Sequence, residues 1–442
     1  MSRSARHARP SKPVAVGAIS ALPKRWVALA VAFAIAVLYV PAATLTGAIA
    51  SVNDVTYLVT FDAAATSTDE AAAIAAAGAT DVDSIPQLHM HTVSVPGDNE
   101  TAVVDALNAS SAVASVAADH TRVAEGTPDD TAYGDQWALP KIGWDNAYGT
   151  VDIPGTAKVA VLDTGIDASN QDLSSNVVAG TSVLDPTSDG TTDPNGHGTT
   201  MAGIIAASTN NGQDVAGVAY SGVKVQPVTV LGADGTGQDS DIIAGVVWAA
   251  DHGADVILMS FSNPGYSPAL QSAIDYAWSH GAVVVAATGN DGSATAHFPA
   301  GDRGVVGVSN TQQDDSLNPS SNYGDDTFLG APGTDIVTTA AGGGTTSVTG
   351  TSASAAIVAG TAALLKAADS SASNGVIVGR LARNADPAGT AAQTGNGRVN
   401  LSRALTDTAT DAVKPAGAAP VGSGGPLVGP YVIAAVKGDL EG

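Results

Sequence analysis

From residue 158 onward the chain repeats one pattern, a short continuous apolar run followed by a stretch of helical composition. Residues 158–162, 223–230, 255–259 and 282–287 read as strands, and 197–207, 241–252 and 268–280 read as helices. Strands that are apolar on both faces leave no side for water, and strands separated by helices pair in parallel. The pattern therefore predicts an α/β domain, a parallel sheet with helices on both faces. Sites in such sheets form at the carboxyl ends of the strands. Asp163 and Asn290 fall at strand ends, and His197 and Ser352 at helix starts, so all four converge on one edge of the sheet.

Those residue types make a nucleophilic centre. A serine hydroxyl is a weak nucleophile until a base takes its proton and a third group orients the base. Asp163 would fix the tautomer of His197, and His197 would deprotonate Ser352. Ser352 at a helix start lies near free backbone N–H groups and the positive end of the dipole. The Asn290 amide would complete an oxyanion hole. Gly196 and Gly198 would leave room for substrate beside the ring. His89, His91, His120, His252, His280 and His297 read as ordinary histidines.

Composition removes several alternatives. The chain has 442 residues and no Cys, which excludes disulfides, a thiol nucleophile and thiolate metal sites. Its net charge of −24 argues against nucleic acid as the partner class. The first 25 residues hold Arg3, Arg6, Arg9, Lys12, Lys24 and Arg25 with no acid, before an apolar stretch at 27–40 and the small-x-small run Ala48-Ile49-Ala50. That order reads as a signal peptide over 1–50, and hence a secreted, extracellular protein. An uncleaved signal would instead anchor the chain to a membrane.

Residues 51–125 read as a small α+β, ferredoxin-like domain. Strands are expected at 56–61, 89–95 and 113–123, with helices at 69–77 and 100–107. Residues 409–442, rich in Ala, Pro and Gly, read as a tail.

Asp163-Thr164-Gly165, His197-Gly198-Thr199 with Met201-Ala202-Gly203, Ala287-Thr288-Gly289-Asn290, and Gly350-Thr351-Ser352 with Val358-Ala359-Gly360 together resemble the subtilisin-like serine peptidases, the subtilases. The resemblance implies a peptidase domain at 126–408 and a serine endopeptidase working through an acyl-enzyme. It also implies that 51–125 is an inhibitory propeptide removed by self-processing. Protein or peptide substrates, and the chain's own propeptide, are then the partners. Substrate would pair as an added strand between the segment containing Gly235 and Gly237 and the segment containing Ser260 and Ser262. The resemblance further implies a structural calcium held by Gln136, Asp172 and Asn210; Asn210-Asn211-Gly212 also reads as a plain turn. No catalytic metal or organic cofactor is expected.

The chain departs from the family pattern in three places. Thr200 stands where His is usual, Ala353-Ser354-Ala355-Ala356-Ile357 follows the nucleophile, and Ser262-Asn263 replaces Gly. The last change adds bulk near the expected primary specificity pocket, against a large aromatic preference. A membrane-tethered maturation peptidase and a peptide-binding pseudoenzyme are the competing readings.

Overall fold

The computed structural model describes residues 54–119 and 126–424. The expected signal peptide, His120, the end of the strand expected at 113–123, and residues 425–442 lie outside the described part. The chain divides into two compact units after Arg122.

The first unit runs β1 (Asp54–Phe61), α1 (Ser67–Ala77), β2 (Thr80–Ile85), β3 (Met90–Pro96), α2 (Glu100–Ala109) and β4 (Val113–Ala118). Its four strands lie in the order β2-β3-β1-β4, and the pairs are antiparallel. Helix α1 begins where the Thr66 hydroxyl accepts from Asp69 N and the Asp69 carboxylate accepts from Thr66 N, a reciprocal cap. It ends at Gly78 in a left-handed conformation (φ +83°). Strand β2 escaped the sequence reading because all six of its residues are exposed and no alternation marks it. Val59, Phe61, Ile74, Val93, Val95, Val103 and Leu107 form the core.

The second unit is built on a seven-stranded sheet containing β5 (Ala157–Asp163), β6 (Thr181–Ser182), β7 (Val223–Thr229), β8 (Val256–Met259), β9 (Val283–Ala287), β10 (Val305–Thr311) and β11 (Leu329–Pro332). The order is β11-β10-β9-β8-β5-β7-β6, and the pairs are parallel. Between the strands run α3 (His197–Ala206), α4 (Asp239–Asp251) and α5 (Pro268–Ser279), with α6 (Thr351–Ala368) following the hairpin β12 (Ile336–Thr339) and β13 (Thr345–Val348). Separate apolar clusters, one including α3 and α6 and the other α4 and α5, enclose the sheet, so β9 and β10 are buried along their whole length. This is the α/β architecture that the alternating pattern dictates.

Helix α6 is long and apolar enough to cross a membrane, yet only Ser352, Lys366 and Ala368 of its residues escape full burial. It is the central core helix. Residues 409–424 are not a free tail. Arg380 Nε donates to Ala409 O (3.2 Å), Val413 N to Gly375 O (2.9 Å) and Ala418 N to Gly301 O (2.8 Å). The packed unit therefore extends past the expected boundary at 408. The Ala-, Pro- and Gly-rich composition, read as a tail, could not show that its backbone groups are satisfied by the domain.

Candidate active site

Asp163 ends β5, Ser260 follows β8 directly, and Asn290 lies three residues past β9. These strands are neighbours in the sheet, so their carboxyl ends bring the three residues to one edge. Helix α3 starts at His197 and α6 at Thr351, facing the same edge.

Asp163 is fully buried, and both its oxygens lie close to His197 Nδ1, at 2.8 and 2.9 Å. Thr164 N also donates to Asp163 Oδ1 (2.8 Å). The Nδ1 proton is thereby held toward the carboxylate, leaving Nε2 as the basic nitrogen. Burial of the His197 ring lowers its pKa, but the charge and hydrogen bond of Asp163, with the charge of Asp193, outweigh it, and the net shift is upward.

Asp193 was not foreseen. One of its oxygens accepts from Gly196 N (2.8 Å) and the Thr164 hydroxyl (2.7 Å); the other accepts from Thr199 N (2.8 Å) and the Thr199 hydroxyl (2.6 Å). It satisfies free N–H groups at the start of α3 and ties that helix to the turn after Asp163. An acid four residues before a helical histidine was the available signal.

The glycines flanking His197 serve the backbone rather than the substrate. A Cβ at Gly198 would stand 2.0 Å from Gly165 O, so its absence lets α3 touch the Asp163 loop. Gly196 adopts φ +96°, which L-residues avoid, while a Cβ there would meet nothing closer than 3.6 Å.

The Ser352 hydroxyl donates to Ser260 O (3.0 Å). That contact places Ser260 beside the nucleophile. Asn290 is exposed, and its Oδ1 accepts from Thr351 N (2.9 Å). With the oxygen engaged, the NH₂ is the group left to donate. Asn322, fully buried, shapes this loop: its Oδ1 accepts from Asp291 N (2.9 Å) and Ser293 N (3.0 Å), and its Nδ2 donates to Thr288 O (3.0 Å). Nothing near Asn322 in sequence reveals this role, because its partners lie about thirty residues earlier.

The profile of the subtilase family matches residues 155–415. The chain belongs to the subtilase family, whose members are serine endopeptidases. It is 38% identical over 219 residues to thermitase of Thermoactinomyces vulgaris, covering 48% of this subtilase and 76% of thermitase. It is 39% identical over 246 residues to a thermophilic serine proteinase of Bacillus sp. (strain AK1), covering 54% of this chain but only 60% of that one. A solved protease structure from Pseudoalteromonas arctica PAMC 21717 superposes with a TM-score of 0.57 at 32% identity, over 64% of this subtilase and 99% of that chain.

Gly235, Gly237 and Ser262 of this subtilase line one cavity of about 270 Å³. Asn263 is pinned by an antiparallel bridge to Phe298 (2.9 and 2.8 Å). Gly289 adopts φ +109°, and a Cβ there would stand 2.4 Å from Asn322 Nδ2 and 2.8 Å from Ser262 Oγ, so only glycine lets the turn pass beside both side chains.

Calcium binding is common among subtilases; of the residues expected to provide it, Gln136 and Asp172 meet one loop, where Ala216 N donates to Gln136 Oε1 (2.8 Å) and Val215 N to Asp172 Oδ2 (3.1 Å). Gln136 pairs both amide atoms with the Ala216 backbone (2.8 Å each), and Asn210 Oδ1 accepts from Asp129 N (3.2 Å). Asn211, not Asn210, reaches Asp172, and it presents its NH₂ (2.8 Å). Burial pushes the Asp172 carboxyl up to about 6. Calcium needs oxygens turned to one point; in this structure the side-chain oxygens of Gln136, Asp172 and Asn210 each accept from an N–H group. Among the described residues no group of three or more His, Asp or Glu is arranged to hold a metal.

Proposed function

We propose that this subtilase is a secreted serine endopeptidase that uses Asp163, His197, Ser352 and Asn290, and that it is matured by its own cut between its two units. The observation that carries the reading is the buried Asp163 bonded to His197 Nδ1 at 2.8 Å, on the strand edge where Ser352 opens α6. Substrate backbone pairs between the Gly235–Gly237 and Ser260–Ser262 segments. Ser352 Oγ attacks the carbonyl carbon as His197 Nε2 takes the hydroxyl proton, and Asp163 stabilises the imidazolium. The Asn290 NH₂ and backbone N–H groups at the start of α6 receive the developing oxyanion. His197 then protonates the leaving amine, and water, deprotonated by the same nitrogen, releases the acyl group. No step passes through a metal.

Residues 51–125 act as the propeptide, and the first bond cut lies between about residues 122 and 133. The N-terminal basic and apolar run supports export. The test is covalent labelling with a fluorophosphonate followed by peptide mapping. The label is expected on Ser352, and a processed protein that takes no label there, or takes it elsewhere, overturns the assignment.

A further inference from the structure

The cavity of about 270 Å³ beside the substrate segments has an uneven chemistry. Leu231, Ile242, Phe261, Leu270 and Phe298 give it an apolar side, and Thr236, Ser262 and Asn263 a polar one. Asp239, the first residue of α4, is exposed and is the one charged group among the described residues lining it. No cation lines the cavity to neutralise that carboxylate. Arg303, which follows the Phe298–Pro299 wall by a few residues, is engaged by Asp275 at 2.5 Å. The charge of Asp239 is felt beyond the rim. It contributes, after burial and Asp275, to pushing the buried Asp302 carboxyl up to about 7.

The cavity also has a fixed relation to the chemistry. Ser260 touches the nucleophile, and the same segment continues through Phe261, Ser262 and Asn263 into the cavity wall. The opposite wall is Gly235-Thr236-Gly237, held as a turn by Gly232 N donating to Thr236 O (2.8 Å). A peptide lying between the two segments therefore offers the cavity a side chain some residues from the cut bond. Residues with an aliphatic stem and a charged tip satisfy both surfaces at once.

We infer that Asp239 makes this subtilase prefer substrates with a lysine or arginine side chain at one position remote from the cut bond, the stem lying against the apolar side of the cavity and the cation meeting the Asp239 carboxylate. The inference rests on the peptidase reading above and adds a substrate class to it.

The test uses the full-length chain after its own maturation, with the active fraction titrated by phenylmethylsulfonyl fluoride. A peptide series varies one position at a time on both sides of the cut, comparing arginine with citrulline, its uncharged isostere. At one remote position, arginine is expected to exceed citrulline in kcat/KM by about fivefold, the upper range for a solvated ion pair. The ratio should shrink in 1 M salt, where charges are screened within about 3 Å. Asp239→Asn should bring the ratio to about one, and Asp239→Lys should invert it in favour of glutamate over glutamine. Titration shows that each variant counted is folded and active. A ratio near one at every position in the parent, or a preference that survives Asp239→Asn, overturns the inference while leaving the peptidase reading intact. Failure of the parent to cut any peptide or react with the sulfonyl fluoride overturns both.

Discussion

The two units solve the burial problem differently. The small unit has one four-stranded sheet whose edge strand β2 is wholly exposed, and a core of a few side chains around Phe61 and Leu107. The large unit buries its central strands on both faces, with helices supplying separate cores. A small domain buries too little apolar surface to have stability in reserve, whereas a large one gains a redundant interior. The proposed division of labour follows this difference. The unit to be discarded is the marginal one, and the unit that must outlast it holds every catalytic group.

The sharpest way to break that comparison is Ser352→Ala. Hydrolysis should fall by roughly 10⁴–10⁶, and the chain should accumulate uncut in a protease-deficient host, as read by intact mass. Normal processing of this variant would assign maturation to another enzyme and remove the functional reason for a weak first unit. Next in size, Asn290→Ala should lower kcat by about 10²–10³ with KM little changed, a range that itself comes from a subtilisin. A loss confined to KM would show that Asn290 binds ground state only.

Core truncations test the stability difference directly. Leu107→Ala and Ile257→Ala remove fully buried side chains from the small and large units. Each should cost about 2–5 kcal/mol. Hydrogen exchange on the uncut chain, in the Ser352→Ala background, should show the first unit unfolded by its substitution and the second still protected. Equal loss of protection in both would contradict the contrast.

A smaller effect concerns pH. Burial, then Asp275 and Asp239, push Asp302 up to about 7, and neither of its oxygens has a hydrogen-bond partner. Its folded pKa lies above the unfolded value, so its contribution is full below about pH 4 and is lost as pH rises toward 7. Asp302→Asn should therefore flatten the fall in melting temperature of the large unit between about pH 4 and 7; an unchanged slope would show the carboxyl is not the source. In the small unit the sign reverses. Glu70 is lowered chiefly by the hydrogen bond from His89, so its contribution is lost as pH falls. The smallest shift is kinetic. The acid limb of kcat/KM should have its midpoint above about 6.5, because Asp163 and Asp193 outweigh burial of His197. Asp193→Asn should lower that midpoint, and a midpoint that stays put would limit Asp193 to capping α3.

Sequence periodicity and local motifs determined much of this protein. Buried parallel strands are apolar without interruption, so β5, β8 and β9 were legible, and motifs at strand ends and helix starts marked Asp163, Asn290, His197 and Ser352 as the candidates. Signals of this kind are local, carried by residues a few positions apart. The tertiary structure alone decided what depends on distant groups meeting. Asp172 receives Asn211 rather than Asn210, Asn322 moulds the Asn290 loop, and residues 409–424 pack on the domain although their composition is that of a linker. It also decided why two glycines flank His197, one for a backbone angle and one for contact with Gly165 O. Hydrogen-bond partners separated by tens of residues leave no period in a sequence, because closing the loop between them is a property of the whole fold.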